Sequence, residues 1–374
     1  MINPQLLDVT KHGDTLNERL SHLHERMLES VPVVDRIGCA IYDAKEDRLK
    51  TFVNSTRQGM PISGYEIKLG DSISLSDIAL SGSPRVIDSI QESIQPSNRH
   101  SAWLLEQGYQ SSFTIPMYDQ GVLLGFLFFD SLAHAAFTPQ TQRDLLLFSS
   151  LINMTLSTEM TALRTVIASV EMAKELTNLR DFETGAHIER MARYSRVIAK
   201  GVANKLGLAD EFVEHVYLFA PLHDIGKIGI PDKILLKEGR LDPDEKKVMQ
   251  THVEKGIEII EKILGDFNLQ QLAESRVMRN IVAFHHELMD GSGYPKGIKG
   301  DAIPIEGRIV TTADVLDALV STRPYKAGWS LDEAFAELKH MVDVGKLDAD
   351  CVDVLIEQRA EIQAIVNNYQ DIHY

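Results

Sequence analysis

Residues 223–232 read His-Asp-Ile-Gly-Lys-Ile-Gly-Ile-Pro-Asp, and how the first two of them can be used decides what kind of domain surrounds them. Adjacent side chains on a helix diverge by about 100°, so His223 and Asp224 reach one target only where a helix ends and the backbone turns. Pro221 before the pair and Gly226 after it favour such a bend. The flanking sequence is helical on both sides, with apolar periodicity predicting helices over 187–206, 211–222, 243–264, 269–285 and 308–320. Asp242-Pro243-Asp244-Glu245 marks one start with an N-cap, a first-turn proline and a carboxylate at the third helical position. The C-terminal half is therefore expected to be all-helical.

Other histidines and acids fall into compact groups around this pair: Glu183 and His187, His252, His285 and His286, and Asp314. Glu183 and His187 stand four apart with Gly185 between them at a helix mouth. His252 is placed in mid-helix on the face of Val248 and Ile259, and Asp314 shares an apolar helix face with Asp317. A lone core histidine bonded to a backbone carbonyl is commoner than a metal ligand. Five histidines and three acids in largely apolar helices would, however, strand many buried polar groups unless a metal satisfied them. Imidazole and carboxylate without thiolate suit iron, manganese, zinc or nickel. Eight candidate ligands exceed the three or four that one ion takes, which implies two or three divalent ions with bridging carboxylates, as in two-metal hydrolysis. His12, His22, His24, His100, His134, His215, His340 and His373 lack such company and read as surface or packing residues.

The rest of the chain reads differently. At 374 residues it is long enough for two domains. Short β-branched or aromatic runs at 36–43, 48–53, 85–88, 111–117 and 122–130 predict strands, with helical patterning at 75–81 and 100–107: an α+β domain with a mostly antiparallel sheet. Thr138 and Pro139 open a long helix. In it Ile152, Leu156, Leu163, Val166, Val170 and Ala173 form a heptad seam interrupted by Glu159, which either packs on its own domain or pairs two chains. The expected division is a helical segment 1–29, an α+β domain 30–139, a linker helix 140–180 and an all-helical domain 181–374.

A formal net charge of −16 argues against broad nucleic-acid binding, so an anionic ligand must be held by metals or a few placed cations. No membrane partner is expected, because no apolar run approaches the length of a span. The N-terminus lacks a signal pattern, and the two cysteines, Cys39 and Cys351, form no disulfide framework, so a cytoplasmic location is expected.

The stretches 181–187, 223–232, 252–256, 285–295 (His-His-Glu-Leu-Met-Asp-Gly-Ser-Gly-Tyr-Pro), Ala313-Asp314 and Arg323-Pro-Tyr-Lys326 resemble the HD-GYP family of HD phosphohydrolases. The resemblance covers about 200 residues. It implies an all-α domain that opens cyclic di-GMP to linear pGpG and, in some members, GMP. It implies Glu183, His187, His223, Asp224, His252, His285, His286 and Asp314 as metal ligands, with iron the expected metal and manganese the alternative. The retained Glu183 resembles members with three metals. Asp224 is expected to bridge two ions and to be catalytic together with Lys227, while Lys227, Arg323, Lys326 and Tyr294 would contact substrate. Residues 30–155 are similar to GAF domains through 108–117, 122–130 and the Phe137-Thr-Pro start, which implies a regulatory domain and a homodimer through that domain and the linker helix. Its ligand is not identified from sequence. Cys39 as a haem or tetrapyrrole ligand is less favoured than Cys39 as a small core residue. Two other readings stand beside the first: an HD hydrolase of another cyclic dinucleotide such as cyclic GMP-AMP, and a module that binds the messenger without turning it over.

Overall fold

A computed structural model describes residues 15–96, 99–177, 185–237, 239–267, 269, 274–321 and 328–370. Glu183, Arg323 and Lys326 lie outside the described residues. The chain divides into two compact units, residues 1–161 with 209–211 and residues 162–208 with 212–374.

The first unit opens on helix α1 (Leu16–Met27), started by a capping box between Thr15 and Glu18. A six-stranded antiparallel sheet follows: β1 (Arg36–Asp43), β2 (Arg48–Thr56), β3 (Glu66–Lys68), β4 (Arg85–Ile87), β5 (Ser111–Asp119) and β6 (Val122–Ser131), in the order β3-β2-β1-β6-β5-β4. All the strands expected from alternation are present. β3, three residues long, is too short to show alternation and was not foreseen. α2 (Ile73–Ser81), α3 (Ile90–Ser93) and α4 (Arg99–Glu106) complete this part, and α2 packs over Ala40, Phe126 and Phe128.

α5 (Pro139–Thr177) begins at the proline, with Thr138 Oγ1 accepting from the Thr141 amide at 3.3 Å. The described seam residues are spent inside the chain. Ile152 and Leu156 are buried in the first unit, where Glu159 accepts a bidentate contact from Arg19 (3.0 and 2.8 Å). Leu163 and Val166 belong to the core of the second unit. Glu159, an interruption by sequence, is thus a buried ion-pair partner.

The second unit is helical throughout its described residues. α6 (Gly185–Leu206) is followed by α7 (Asp210–Phe219), two 3-10 turns over Ala220–Leu222 and Ile225–Gly229, α8 (Asp232–Leu235), α9 (Pro243–Gln250), α10 (His252–Asp266), α11 (Glu274–Phe284), α12 (Ile305–Val320), α13 (Leu331–Asp343), α14 (Ala349–Glu357) and α15 (Arg359–Asn368). Its core gathers Tyr194, Ile198, Phe219, Ile281, Ile309 and Leu355. The segment expected as one helix over 243–264 is two. Thr251 turns the chain, its hydroxyl donating to Val248 O at 2.7 Å, so His252 starts α10 rather than sitting in mid-helix, and Val248 is solvent-exposed. Among the described residues no helix is long and apolar enough to cross a membrane.

Candidate metal centre

His223 and Asp224 sit between the two 3-10 turns, where Asp224 leaves helical geometry (φ −99°, ψ 14°) and both side chains turn to the interior. The turn after them is pressed onto α10: a Cβ at Gly226 would lie 1.8 Å from His252 O and 2.4 Å from Gly256 N. Only glycine permits this approach, which brings His252, the first residue of α10, beside Asp224. α11 ends at Phe284 and delivers His285 and His286, α6 presents His187 in its first turn, and α12 presents Asp314.

Seven of the eight expected ligands are thereby gathered. Asp224, His252, His285 and His286 offer donor atoms all within 4.8 Å of one another, and His187, His223 and Asp314 do the same. The groups adjoin: His223 Nε2 is 3.1 Å from Asp224 Oδ2, and the His223 ring centroid lies 5.7 Å from that of His187 and 5.2 Å from that of His285. His252 Nε2 is 3.1 Å from Asp224 Oδ1, and His285 Nε2 is 3.7 Å from it.

Whether these side chains suit a metal turns on which ring nitrogen is committed elsewhere. The Nδ1 of His223 lies 2.8 Å from Ala220 O, that of His252 2.8 Å from Met249 O, and that of His285 3.1 Å from Val282 O. An Nδ1–H donated to a carbonyl fixes the neutral tautomer whose Nε2 lone pair is available, and in all three that nitrogen faces the Asp224 carboxylate. His187 follows the same rule with a carboxylate, Nδ1 lying 2.7 Å from Asp317 Oδ2. The donor set therefore fits divalent ions of intermediate softness.

The electrostatics agree. Burial works to raise the Asp224 carboxyl, but Lys227, His223 and His252 together outweigh it and hold it well below the ordinary carboxylate range. Burial depresses His285 against the pull of Asp224, and burial with His285 alongside pushes His286 far down, so both stay neutral. Burial raises Tyr294, with Asp224 and Asp314 adding to it, leaving its O–H as a donor.

Tyr294 comes from the Gly-Ser-Gly-Tyr-Pro loop. Its ring lies 4.6 Å from that of His286, and its amide donates to His286 O at 3.1 Å. A Cβ at Gly293 would meet that same carbonyl at 2.4 Å, so the loop folds directly back over the cluster. Lys227 Nζ lies 2.9 Å from Asp224 Oδ2 with a quarter of its side chain exposed, which places a cation at the rim.

Two residues here carry more than sequence reasoning assigned to them. Asp317, noted only as sharing a face with Asp314, takes His187 Nδ1 and a fork from Arg190 (Nε 2.5 Å, Nη2 3.0 Å). Burial raises its carboxyl, but His187 and Arg190 prevail and bring it to about 2. Arg190, 3% exposed, also donates to Ser321 Oγ and Tyr369 O. Their spacing held the signal: Arg190 is one turn beyond His187, and Asp317 one turn beyond Asp314.

Residues 171–351 match the family model described as HD domain, and residues 16–156 that of the GAF domain. Over 191 residues the chain is 44% identical to the cyclic di-GMP phosphodiesterase response regulator RpfG of Xanthomonas campestris pv. campestris, covering 51% of this chain and 47% of that one. It is 41% identical over 203 residues to a cyclic di-GMP phosphodiesterase of Thermotoga maritima, covering 54% and 52%. It is also 41% identical over 201 residues to the 3'3'-cGAMP-specific phosphodiesterase 2 of Vibrio cholerae, covering 53% and 36%. The chain spans about half, or less, of the length of these relatives. Among solved structures, the GAF domain of an Acinetobacter phosphoenolpyruvate-protein phosphotransferase aligns at 11% identity with a TM-score of 0.32, covering 43% of this chain and 98% of that one.

Proposed function

We infer that this chain, whose sequence matches a GAF domain followed by an HD domain, is a metal-dependent phosphodiesterase of the HD-GYP type that hydrolyses cyclic di-GMP to linear pGpG, with GMP the further product only where hydrolysis continues. One observation carries the reading: three helix termini, one mid-helix position on α12 and one turn converge seven imidazole and carboxylate side chains, and four of the five histidines already have Nδ1 committed elsewhere. The names of the relatives supply the substrate class.

In this reading His187, His223, Asp224, His252, His285, His286 and Asp314 hold two or three divalent ions, iron first and manganese as the alternative, with Glu183 completing the set. Bound ions would lower the pKa of a water and neutralise the non-bridging phosphoryl oxygens. The chain's own residues supply the rest. Asp224, kept ionised, presents one oxygen to His223 and the other to His252 and would be a ligand to the ions held there. Lys227 at the rim sets a positive charge where a phosphate oxygen enters and charge develops. Tyr294 donates its O–H towards the substrate from the loop over His286, and Arg323 and Lys326 add phosphate contacts. The proposed domain limits are 1–29, 30–139, 140–180 and 181–374, with α5 joining sensor to catalyst in a cytoplasmic homodimer that pairs through the GAF domain and, since the seam is used within the chain, through the exposed α5 face of Leu146, Leu147 and Met154.

A second substrate has support of its own: 3'3'-cGAMP, since a phosphodiesterase specific for it is as similar in sequence as one of the cyclic di-GMP enzymes. Side-by-side turnover of both dinucleotides by metal-loaded protein, with Asp224→Ala as control, tests the proposal. Faster conversion of cyclic di-GMP, abolished by the substitution, is expected. Preferential conversion of 3'3'-cGAMP would move the assignment to that substrate, and conversion of neither by folded, metal-loaded protein would overturn it.

A further inference from the structure

The end of α15 reaches back to the metal centre. Ile362 and Ile365 bury one face of that helix in the core of the second unit, and Val366 and Tyr369 pack against the same core, half-buried. At Tyr369 the chain leaves helical geometry (φ −123°, ψ 64°), its amide still donating to Ile365 O at 3.1 Å. The last carbonyls of a helix lack partners within it and carry the negative end of its dipole, so they call for donors and favour cations. Two arginines of α6 meet that end. Arg190 Nη1 donates to Tyr369 O at 2.7 Å, and the Arg193 guanidinium lies over the Tyr369 ring, 4.6 Å from its centroid.

A guanidinium as buried as that of Arg190 is tolerated only when its donors are filled. Asp317 takes Nε and Nη2 as a fork, and Ser321 Oγ accepts from Nη2 at 2.8 Å while donating to Asp317 Oδ2 at 3.0 Å. Tyr369 O takes the Nη1 side of the plane. Asp317 Oδ2 is the oxygen that lies 2.7 Å from His187 Nδ1. A run of direct contacts therefore leads from Tyr369 through Arg190 and Asp317 to a candidate metal ligand. His252 and His285, in the other group of donors, are anchored instead on Met249 O and Val282 O.

We propose, on the metal-centre reading given above, that Tyr369 is a positioning residue of that centre: by seating Arg190 it fixes Asp317, and through Asp317 the direction in which His187 presents Nε2. The ring is what places the carbonyl. Held between the core and the Arg193 guanidinium, it keeps the chain after α15 at one point, so that Tyr369 O stays in reach of Arg190. Without the ring Arg190 must find another acceptor, and the carboxylate it holds moves with it. The effect is confined to the ion at His187, because the anchors of His252 and His285 lie on other elements.

Manganese(II) binding by the full chain, freed of metal and titrated against a chelator, tests this, with His187→Ala marking the ion held at that end. Tyr369→Ala is expected to weaken that ion about tenfold and to leave the others unchanged. Tyr369→Phe, which keeps the ring face, is expected to bind as the wild type does. In a His187→Ala background Tyr369→Ala should change nothing further, whereas a general loosening of the fold would add to the loss. Folded Tyr369→Ala that binds every ion as the wild type does, weakens all of them equally, or adds to the loss in the His187→Ala background overturns the proposal. Should Tyr369→Ala fail to fold, Tyr369→Leu, which keeps apolar bulk without a ring face, decides by the same criteria. A wild-type chain that takes up no manganese overturns the metal-centre reading first, and the proposal with it.

Discussion

At Asp224 burial and neighbouring charge pull in opposite directions, and charge wins. A carboxylate 6% exposed is expensive to bury, and its retention amid four histidines makes sense where it faces cations. Asp224→Asn keeps the volume and removes the charge, so dialysed protein should hold fewer ions per chain and lose hydrolysis, read by elemental analysis and product assay. Asp317 acts one step out, orienting His187 through Nδ1 while Arg190 holds it in turn. Asp317→Asn is expected to weaken the metal bound at His187 by about 10- to 100-fold while leaving the fold intact, measured by competition with a chelator. Unchanged affinity would reduce Asp317 to an ion-pair partner of Arg190. His215, left by sequence as a packing residue, is buried against Phe219 (5.8 Å), and burial lowers it to about 3. A histidine depressed in the fold binds fewer protons there than when unfolded. Its contribution is therefore complete above pH about 6.5 and is lost as pH falls towards 3, at about 1.4 kcal/mol per pH unit. His215→Phe should flatten that slope in denaturant melts between pH 6 and 4, and an unaltered slope would contradict the assignment.

Among the elements, the contact between the turn after Asp224 and the start of α10 bears most directly on the centre. Gly226 and Gly256 let backbone meet backbone there. Because an added methyl would strike main-chain atoms that no rotamer can clear, Gly226→Ala is expected to destabilise the second unit by about 1–3 kcal/mol and to lower metal content with it. A variant equally stable and fully loaded would show that the approach is slack. The sequence revealed His223-Asp224 as a bend because adjacent side chains can share a target only there. It misplaced His252, because apolar periodicity runs unbroken through Thr251 while the helix does not. The hydrogen bonds that end α9, from the Thr251 hydroxyl and from His252 Nδ1, leave no trace in hydrophobic pattern. The seam on α5 shows the same limit: periodicity gave the buried stripe of Ile152 and Leu156 but not what would cover it.

For the molecule, five histidines spread over a hundred residues could be recognised as one centre because their chemistry is costly to bury singly. Their second interactions, to Ala220 O, Met249 O, Val282 O and Asp317, depend on three-dimensional approach and were not legible. The buried pair of Arg36 and Asp130 in the sheet of the first unit was hidden likewise, since each looks like an ordinary strand-end residue until register aligns them. A folded state that binds metal through ligands from separate helices is stabilised by that binding, so chelation should lower the melting temperature of the second unit specifically, and restoring the metal should recover it. The most direct test is product analysis of cyclic di-GMP incubated with anaerobically purified protein whose metal content has been measured. Two or three divalent ions per chain together with conversion to pGpG is the predicted result. Folded protein that carries those ions and leaves cyclic di-GMP intact would contradict the account.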